Sequence, residues 1–331
     1  MRKVLFLLLI LTAICGCKSK PTPPKVEKIP LTVLRFDKDL FAIDYATLED
    51  SLPFFRKKYG EFFDIFNFKI IQIGSSENKG YADLLKGFVT DYTINKAKKE
   101  CDSVFADFNT IANNITSSMS YFHYYFPQKP VPTIITYVSG FNQSMVTTDT
   151  ILGIALDRYL GENHDFYKRM ALPKYIRLKM NKSRIPADVV RAWLITNFPM
   201  NDSAFNLLSN IIYLGKIAYA SSLLQPNAED TVFTGLSKDE IKWCKENEKN
   251  MWTFLVEKKK LFSSDMMLIR KYCEEAPFTK DFGQESPGKA VIWIGYNIVN
   301  AYMANNPQVD LQRLMEMNDY MAILKSSKYK P

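Results

Sequence analysis

Few side chains in this sequence have the type and spacing that metal or nucleophilic catalysis needs. The chain contains two histidines, His123 and His164. A metal-binding helix places histidines four residues apart so that both imidazoles face one ion, and no H-E-x-x-H motif occurs. The G-x-S-x-G elbow, the P-loop and the G-x-G-x-x-G motif are also missing from the sequence. These absences lower the expectation of an enzyme, although catalytic groups can also be dispersed along a chain.

Neither histidine has an evident metal-binding partner. His123 lies in the aromatic run SYFHYYF, where we expect a hydrogen-bonded core residue rather than a ligand. His164 lies in GENHDFY, where we expect a surface residue, with a weak ion site formed with Glu162 and Asp165 as the alternative. The sequence therefore predicts no metal ion and no cofactor.

The cysteine with the clearest chemical context is Cys17. It follows an apolar run, residues 4–12, that begins after Arg2 and Lys3, which is the layout of a secretory signal. The run is too short to cross a bilayer, which takes about 20 apolar residues. The tetrapeptide ICGC, which ends at Cys17, resembles the bacterial lipoprotein box, in which the cysteine is acylated and becomes the mature N-terminus.

This pattern divides the chain into three segments. Residues 1–16 are predicted to be a signal peptide, residues 17–29 a basic Pro-rich tether, and residues 30–331 a single domain. Acyl chains contribute about 0.8 kcal/mol per buried methylene, so two or more of them would anchor the protein stably. An ordinary signal peptide cleaved at another position is the alternative.

The residue after Cys17 bears on location. Lys18 stands there, and no acidic run of the kind that surface export usually requires follows it. We therefore expect the outer membrane, with the domain facing the periplasm. The opposite leaflet and the inner membrane are the alternatives.

The charge balance excludes one class of partner. The formal net charge is +8, and +6 once Arg2 and Lys3 are removed with the signal. Part of this excess lies in the tether, where lysines can contact anionic headgroups. We therefore expect no nucleic-acid binding. The hydrophobic fraction of 47% is sufficient for a large core.

Three cysteines remain in the predicted domain: Cys101, Cys244 and Cys273. Their spacing matches no C-x-x-C or zinc pattern, so we expect buried thiols, with a single disulfide as the alternative.

The pattern of apolar residues predicts an α+β, helix-rich fold with one small central β-sheet. Alternation over residues 30–37 predicts a strand, and residues 131–140, 142–148 and 150–161 read as three β-rich runs of an antiparallel sheet. Helical spacing is found before and after them. The clearest helices are predicted at 48–59, 81–94, 96–115, 187–198, 203–224, 237–262, 288–305 and 310–325.

Three stretches, taken in order, resemble the gliding motility lipoprotein GldB family. They are ILGIALDRYLG, then IPADVVRAWLITNFP with LGKIAYASSLLQP, and finally SPGKAVIWIGYNIVNAYMANNP. The resemblance covers essentially the whole mature chain and depends on the order and spacing of the stretches rather than on one motif. It implies a role in gliding motility without supplying a molecular activity.

That family is in turn similar to zincin-like metallopeptidases, in which a mixed sheet is followed by a helix bearing H-E-x-x-H. The segment VVRAWLITNF would be this helix. Arg191 and Ile195 would then replace the two histidines, and Ala192 would replace the glutamate base. Guanidinium and alkyl groups cannot bind zinc, and alanine cannot activate water. The resemblance thus implies a zincin-like domain whose metal site is lost.

The zincin resemblance also implies a cleft beside this helix. We expect Asp157, Tyr159, Lys216 and Tyr219 to face it, with Asp157 forming an ion pair with Arg191. A solvated Arg191 at the helix edge is the alternative.

Two glycines of the last stretch, Gly288 and Gly295, are expected to allow another backbone to approach closely, although ordinary helix packing would explain them as well.

The leading hypothesis is a noncatalytic cell-envelope lipoprotein, a pseudoenzyme that acts as a component or stabiliser of the gliding motility and protein secretion machinery. Its partners would be the membrane, through the N-terminal lipid, and other envelope proteins of that apparatus. One alternative is a membrane-anchored hydrolase that uses Asp157 with Glu162 or His164. Another is a periplasmic module that binds a peptide segment in the cleft.

Overall fold

The computed structural model describes residues 22–201 and 205–331. The predicted signal peptide, Cys17 and the first part of the tether lie outside these residues.

A four-stranded mixed sheet lies at the centre of the described chain. Its strands are β1 (Val33–Arg35), β2 (Thr133–Tyr137), β3 (Met145–Thr147) and β4 (Ile151–Ala155), in the order β1-β2-β4-β3. The β1–β2 and β2–β4 pairs are parallel, and only β3 runs antiparallel, next to β4. The expected α+β class is confirmed, but the expectation of an antiparallel sheet is wrong for two of the three pairings.

Helices make up most of the remaining chain. Those before the β2 strand are α1 (Phe36–Phe41), α2 (Leu48–Tyr59), α3 (Glu61–Ile65), α4 (Tyr81–Thr90), α5 (Tyr92–Val104) and α6 (Asn109–Tyr125). Those after the sheet are α7 (Asp165–Arg169), α8 (Lys174–Arg177), α9 (Ile185–Asn197), α10 (Leu207–Leu224), α11 (Asp230–Thr234), α12 (Lys238–Glu257), α13 (Met266–Cys273), α14 (Val291–Asn305), α15 (Leu311–Glu316) and α16 (Tyr320–Ser327). A π-helical turn (Phe66–Ile70) follows α3, and short 3-10 turns lie at Leu156–Arg158, Lys182–Arg184 and Lys280–Phe282.

Local capping explains where several of these helices begin. Ser237 and Glu240 form a capping box at the start of α12. The predicted helix at 81–94 ends earlier, because Asp91 has extended backbone angles and accepts hydrogen bonds from the amides of Thr93 and Ile94. Asp91 thus closes α4 and begins α5.

The two faces of the sheet contact different hydrophobic clusters. The smaller cluster contains Ile135 and Tyr137 of β2 and is rich in phenylalanine, including Phe36 and Phe62. The larger cluster contains Ile134 of β2 and the buried faces of α6, α9, α10 and α14. Since successive residues of a strand point to opposite faces, β2 contributes to both clusters.

The larger cluster is centred on α10, which packs against α14, α9, α6 and α13. This helix is long and apolar enough to span a membrane by composition, with a mean hydropathy of 1.3, but 67% of it is buried inside the protein. Burial of that extent is typical of a core helix, and no other helix among the described residues meets the same criteria.

Glycine contacts set the closest helix crossing. A Cβ at Gly295 of α14 would overlap the carbonyl group of Ile211 in α10, and a Cβ at Gly215 of α10 would overlap that of Gly295. Gly288 lies before α14, where a Cβ would overlap the backbone of Ala276. The close approach expected at Gly288 and Gly295 is therefore present at both, although only Gly295 lies within the helix.

The expected burial of His123 is wrong, and the three cysteines of the domain have no disulfide partner among the described residues. His123 was expected in the core but is exposed, since Phe122 of the same helix occupies the buried face. Cys101, Cys244 and Cys273 are free thiols, the first two buried and the third partly buried.

Candidate functional site

A cleft runs along one face of α9, between the edge strand β3 and the segments around α8 and α13. It consists of two adjoining cavities, of about 390 Å³ and about 420 Å³. Lys179, Asp188 and Arg191 line both cavities, so the two adjoin at these three residues. Either volume lies within the range of small-ligand pockets.

The first cavity has a largely apolar wall. Ala192 and Ile195 of α9 line it together with Met145 of β3 and Tyr159, which follows β4. Ile195 is exposed by 38% although it is a large apolar side chain. The structure thus brings Tyr159 together with Arg191, Ala192 and Ile195 in one cavity.

The second cavity is bordered by charged groups. Its lining includes Arg184, Lys289, Glu274 and Glu275 in addition to the residues that it shares with the first cavity. Over the whole cleft, five basic side chains, counting Arg158, face three acidic ones. The site therefore carries an excess of positive charge.

Asp188 is the centre of one polar network in the cleft. The hydroxyl of Tyr159 donates to Asp188 Oδ2 at 3.1 Å, and Arg184 Nη2 lies 3.6 Å from Asp188 Oδ1. Burial raises the pKa of Asp188, although Arg184 and the tyrosine hydroxyl oppose this effect. Burial and the neighbouring Asp188 likewise raise the pKa of Tyr159. Tyr159 is therefore a neutral hydrogen-bond donor at physiological pH.

Glu275 is the centre of a second network. Lys179 forms an ion pair with Glu275 Oε2, and Lys289 Nζ lies 3.6 Å from Glu275 Oε1. The Lys289 side chain is only 7% exposed. Burial lowers its pKa to about 7, with Arg191 acting in the same direction and Glu275 opposing. Burial acts to raise the pKa of Glu275, but Lys289 and Lys179 outweigh it and the pKa is lowered.

Arg191 lies between these two networks. It is partly buried, and it is close enough to Asp188, Glu275 and Lys289 to shift the pKa of each. Its guanidinium nevertheless has no hydrogen bond or ion pair with any residue that the structure describes. Arg191 thus places a positive charge in the middle of the cleft, and its N–H groups are available to donate hydrogen bonds to a ligand.

The structure corrects the expected pairing of Arg191 with Asp157. Asp157 is fully buried and lies outside the cleft; its carboxylate accepts hydrogen bonds from the Ser139 amide (3.0 Å), the Ser139 hydroxyl (3.0 Å) and the Phe141 amide (2.6 Å). Burial raises its pKa, although these hydrogen bonds act to lower it. Asp157 therefore ties the end of β4 to the loop after β2.

Lys216 and Tyr219 also lie away from the cleft. Lys216 is buried in the helical core, where its ammonium donates to the carbonyls of Met315 (3.0 Å) and Met317 (2.6 Å). Burial lowers the pKa of Lys216 to about 8. Tyr219 is partly buried against the larger hydrophobic cluster. Both face the core because α10 is surrounded by other helices.

A separate cavity of about 330 Å³ lies at His164, between α5 and α7. His164 Nδ1 accepts from the Phe166 amide at the start of α7, and Nε2 lies 3.6 Å from Glu100. His164 is thus half-buried and serves as a helix cap, rather than standing on the open surface.

Asp157 is not part of this cavity, so the groups of the hydrolase alternative are not brought together. No group of three or more potential metal ligands occurs among the described residues.

Sequence reasoning missed most of the charged residues of the cleft. Asp188 and Arg191 of α9 and Arg184, which directly precedes this helix, follow one another at helical spacing, and this mixed-charge stripe is a signal that could have been used. Lys289 and Glu275 come from distant parts of the chain. Lys289 has a left-handed backbone, φ 60°, directly after Gly288, and no sequence periodicity indicates this position.

Comparison with known proteins gives one match. A family model described as "Gliding motility protein GldB", labelled as a lipoprotein family, matches residues 19–331. Comparisons with curated proteins and with solved structures gave no match.

Proposed function

The chain belongs to the gliding motility protein GldB family, and from this we propose that it is a noncatalytic lipoprotein that acts as a component or stabiliser of the gliding motility and protein secretion machinery. The observation that carries the proposal is the extent of the family match, from residue 19 to the last residue. The other envelope proteins of this machinery would be its partners.

The residues of α9 support a noncatalytic role. Arg191, Ala192 and Ile195 lie on the cleft wall, and the zincin resemblance would assign these positions to the metal ligands and the base. None of these side chains can bind zinc or activate water. The retained cleft without such groups is what we expect of a pseudoenzyme.

The topology agrees with a zincin-like origin of the domain. A mixed sheet precedes α9, the antiparallel edge strand β3 contacts this helix, and Thr196 donates to Thr147 of the strand at 2.8 Å. A second long helix, α10, follows and packs on α9. We propose that residues 30–331 form one such domain.

The anchor is proposed from the sequence. Acylation of Cys17 would hold the domain at the outer membrane, facing the periplasm, with residues 17–29 as the tether. Residues 22–30 lack helix and strand, and Ile29 N donates to Ser120 Oγ of α6 at 3.1 Å, so the tether would join the domain at this helix.

Two cysteines of the signal region, Cys15 and Cys17, provide a matched test of the anchor and of the role. In a gliding bacterium whose own copy is replaced by this gene, Cys17→Ser should abolish acylation, release the protein from membranes and impair gliding. Cys15→Ser, two residues away in the same signal, should leave acylation and gliding intact. Metabolic labelling with a fatty acid and cell tracking provide the two readouts. Normal gliding of cells that lack the protein would contradict the proposed role.

The proposal that the protein is not an enzyme is tested separately. Zinc content and hydrolysis of a peptide library should be measured on protein purified from membranes, before and after treatment with a chelator. We expect zinc well below one ion per chain and no hydrolysis that the chelator removes. Stoichiometric zinc together with chelator-sensitive hydrolysis would overturn the pseudoenzyme proposal.

A further inference from the structure

We propose that the cleft on α9 binds an organic anion whose carboxylate contacts Arg191 and whose apolar group lies against Ala192 and Ile195. This is the chemistry of the C-terminal residue of a peptide. The inference depends only on the geometry of the cleft and stands whether or not the role in gliding is correct.

The charges of the cleft favour an anion. Its five basic side chains outnumber its three acidic ones, and two of the acidic groups, Asp188 and Glu275, are already engaged by Arg184, Lys179 and Lys289. An added carboxylate would therefore reduce the excess positive charge without displacing an existing pair.

The position of Arg191 indicates where the carboxylate would bind. Its guanidinium offers five N–H donors in a planar fork that matches a carboxylate, and none of them is used within the described residues. It lines both cavities, at the boundary between the charged part and the apolar part. A carboxylate held there would have Lys179 on the same wall.

Two further polar groups in the charged cavity are incompletely satisfied. Lys289 is nine-tenths buried, and its ammonium has one ion pair, at 3.6 Å, among the described residues. Arg184 Nε is buried and has no hydrogen-bond partner in the described chain. Buried donors without partners are costly, and a bound anion would lower that cost.

The apolar cavity indicates that the part of the ligand beyond the carboxylate is apolar. Ala192 and Ile195 are joined there by Met145, Ile176 and Met180, and a volume of about 390 Å³ can hold a branched aliphatic side chain with its backbone. An inorganic anion would leave these side chains uncovered. A carboxylate attached to an apolar side chain fills both parts of the cleft.

The test uses two short peptides that differ only at the C-terminus. Acetyl-Ala-Ala-Leu with a free carboxylate and the same peptide as its amide are titrated into the purified full-length protein by calorimetry. We expect the carboxylate form to bind at least about tenfold more tightly, since a charge-assisted hydrogen bond is lost in the amide. Equal affinities, or no heat of binding for either peptide at millimolar concentration, would overturn the proposal.

Two variants of the cleft, with a matched control, locate the site. Arg191→Gln should weaken binding of the carboxylate peptide about tenfold or more. Arg169→Gln, at the separate cavity near His164, should leave the affinity unchanged. Unchanged affinity of Arg191→Gln, with the circular dichroism spectrum and thermal midpoint of the wild type, would contradict the assignment.

The apolar part is tested separately. The wild type should prefer a C-terminal Leu to a C-terminal Gly, and Ile195→Ser should reduce that preference while the Gly peptide binds as before. Inorganic phosphate that binds as tightly as the Leu peptide would show a simple anion site and would overturn the ligand class. Gliding is also measured in cells that carry Arg191→Gln. This measurement separates the inference from the proposed function, because the variant can lose peptide binding while the cells still glide in a manner that depends on Cys17.

Discussion

Lys289 is buried in the cleft at an energetic cost. Its side chain is 7% exposed. Burial lowers its pKa to about 7, and Arg191 and Lys179 act in the same direction, while Glu275 and Cys273 act to raise the pKa. In the unfolded chain a lysine has a pKa near 10.4. The folded protein therefore releases this proton at a lower pH than the unfolded chain does.

The sign of the pH effect follows from this difference. Between about pH 7 and pH 10 the unfolded chain binds more protons at Lys289 than the folded chain, so the free energy of unfolding rises with pH in this window. Below pH 7 both states are protonated, and the full cost of burying the charge remains.

We predict that Lys289→Met stabilises the protein and does so most at pH 6. The advantage over the wild type should shrink by about 2 kcal/mol between pH 6 and pH 9, since each pH unit is worth up to about 1.4 kcal/mol. Urea unfolding of both proteins at the two pH values measures the difference. Lys86→Met, at an exposed position of α4, is the control and should have little effect at either pH. A stability difference that does not change with pH would contradict the prediction.

At the residue scale, the sequence predicts the positions on one helix better than the contacts between segments. Arg191, Ala192 and Ile195 share a cavity as helical spacing requires, and Tyr159 joins them. Asp157 does not, because two residues after a strand its side chain points back to the sheet, where the Ser139 and Phe141 amides satisfy it. Such a choice between partners depends on three-dimensional distances that spacing does not give.

At the scale of elements, the crossing of α10 and α14 depends on two glycines. Gly215 and Gly295 face each other so closely that a Cβ on either would overlap the backbone of the other helix. The two helices are buried along most of their lengths, so neither can move away without opening the core.

We predict that Gly295→Ala destabilises the protein by about 3 kcal/mol, at the upper end of the usual cost of overpacking, because the clash is with backbone rather than with a flexible side chain. Gly87→Ala is the matched control. Gly87 lies in α4, and a Cβ there would have no neighbour within 4 Å. It should stabilise the protein by about 0.5–1 kcal/mol, since alanine is the better helix former. Similar urea midpoints for the two variants would show that the crossing tolerates a methyl group.

The sheet shows why strand pairing was harder to predict than strand position. Short connections between the β-rich runs favour hairpins, and the sequence accordingly indicates an antiparallel sheet. In the structure β2 and β4 lie side by side and run parallel, and Asp157, which follows β4, accepts hydrogen bonds from the amides of the loop after β2. β3 is thereby placed at the outer edge, next to α9. Hydrophobic periodicity predicts where the strands lie, and it carries no information about which strands pair or in which direction.

At the scale of the whole molecule, the sheet joins two hydrophobic clusters. Ile134 of β2 and Leu152 of β4 belong to the larger cluster, while Ile135 and Tyr137 belong to the smaller one. Loss of either cluster would expose one face of the same strands. This arrangement supports the proposal that residues 30–331 form a single domain, and we expect the two clusters to unfold together.

The distribution of tryptophan makes this expectation testable. All four tryptophans of the sequence lie in the larger cluster or pack against it: Trp193, Trp243, Trp252 and Trp293. Their fluorescence therefore reports unfolding of that cluster alone. Phe62, in contrast, is fully buried in the smaller cluster, on the other face of the sheet.

We predict that Phe62→Ala lowers the unfolding midpoint seen by tryptophan fluorescence, although no tryptophan belongs to the cluster that it damages. A buried Phe→Ala change costs about 3–5 kcal/mol, and a cooperative unit transmits this loss to every probe. Phe68→Ala removes a phenylalanine that is 54% exposed in the same region and should shift the midpoint little. If the fluorescence midpoint of Phe62→Ala stayed at the wild-type value while far-ultraviolet circular dichroism showed an earlier loss of helix, the clusters would unfold independently. The chain would then consist of two units that share a sheet, and the cleft on α9 would belong to the helical unit alone.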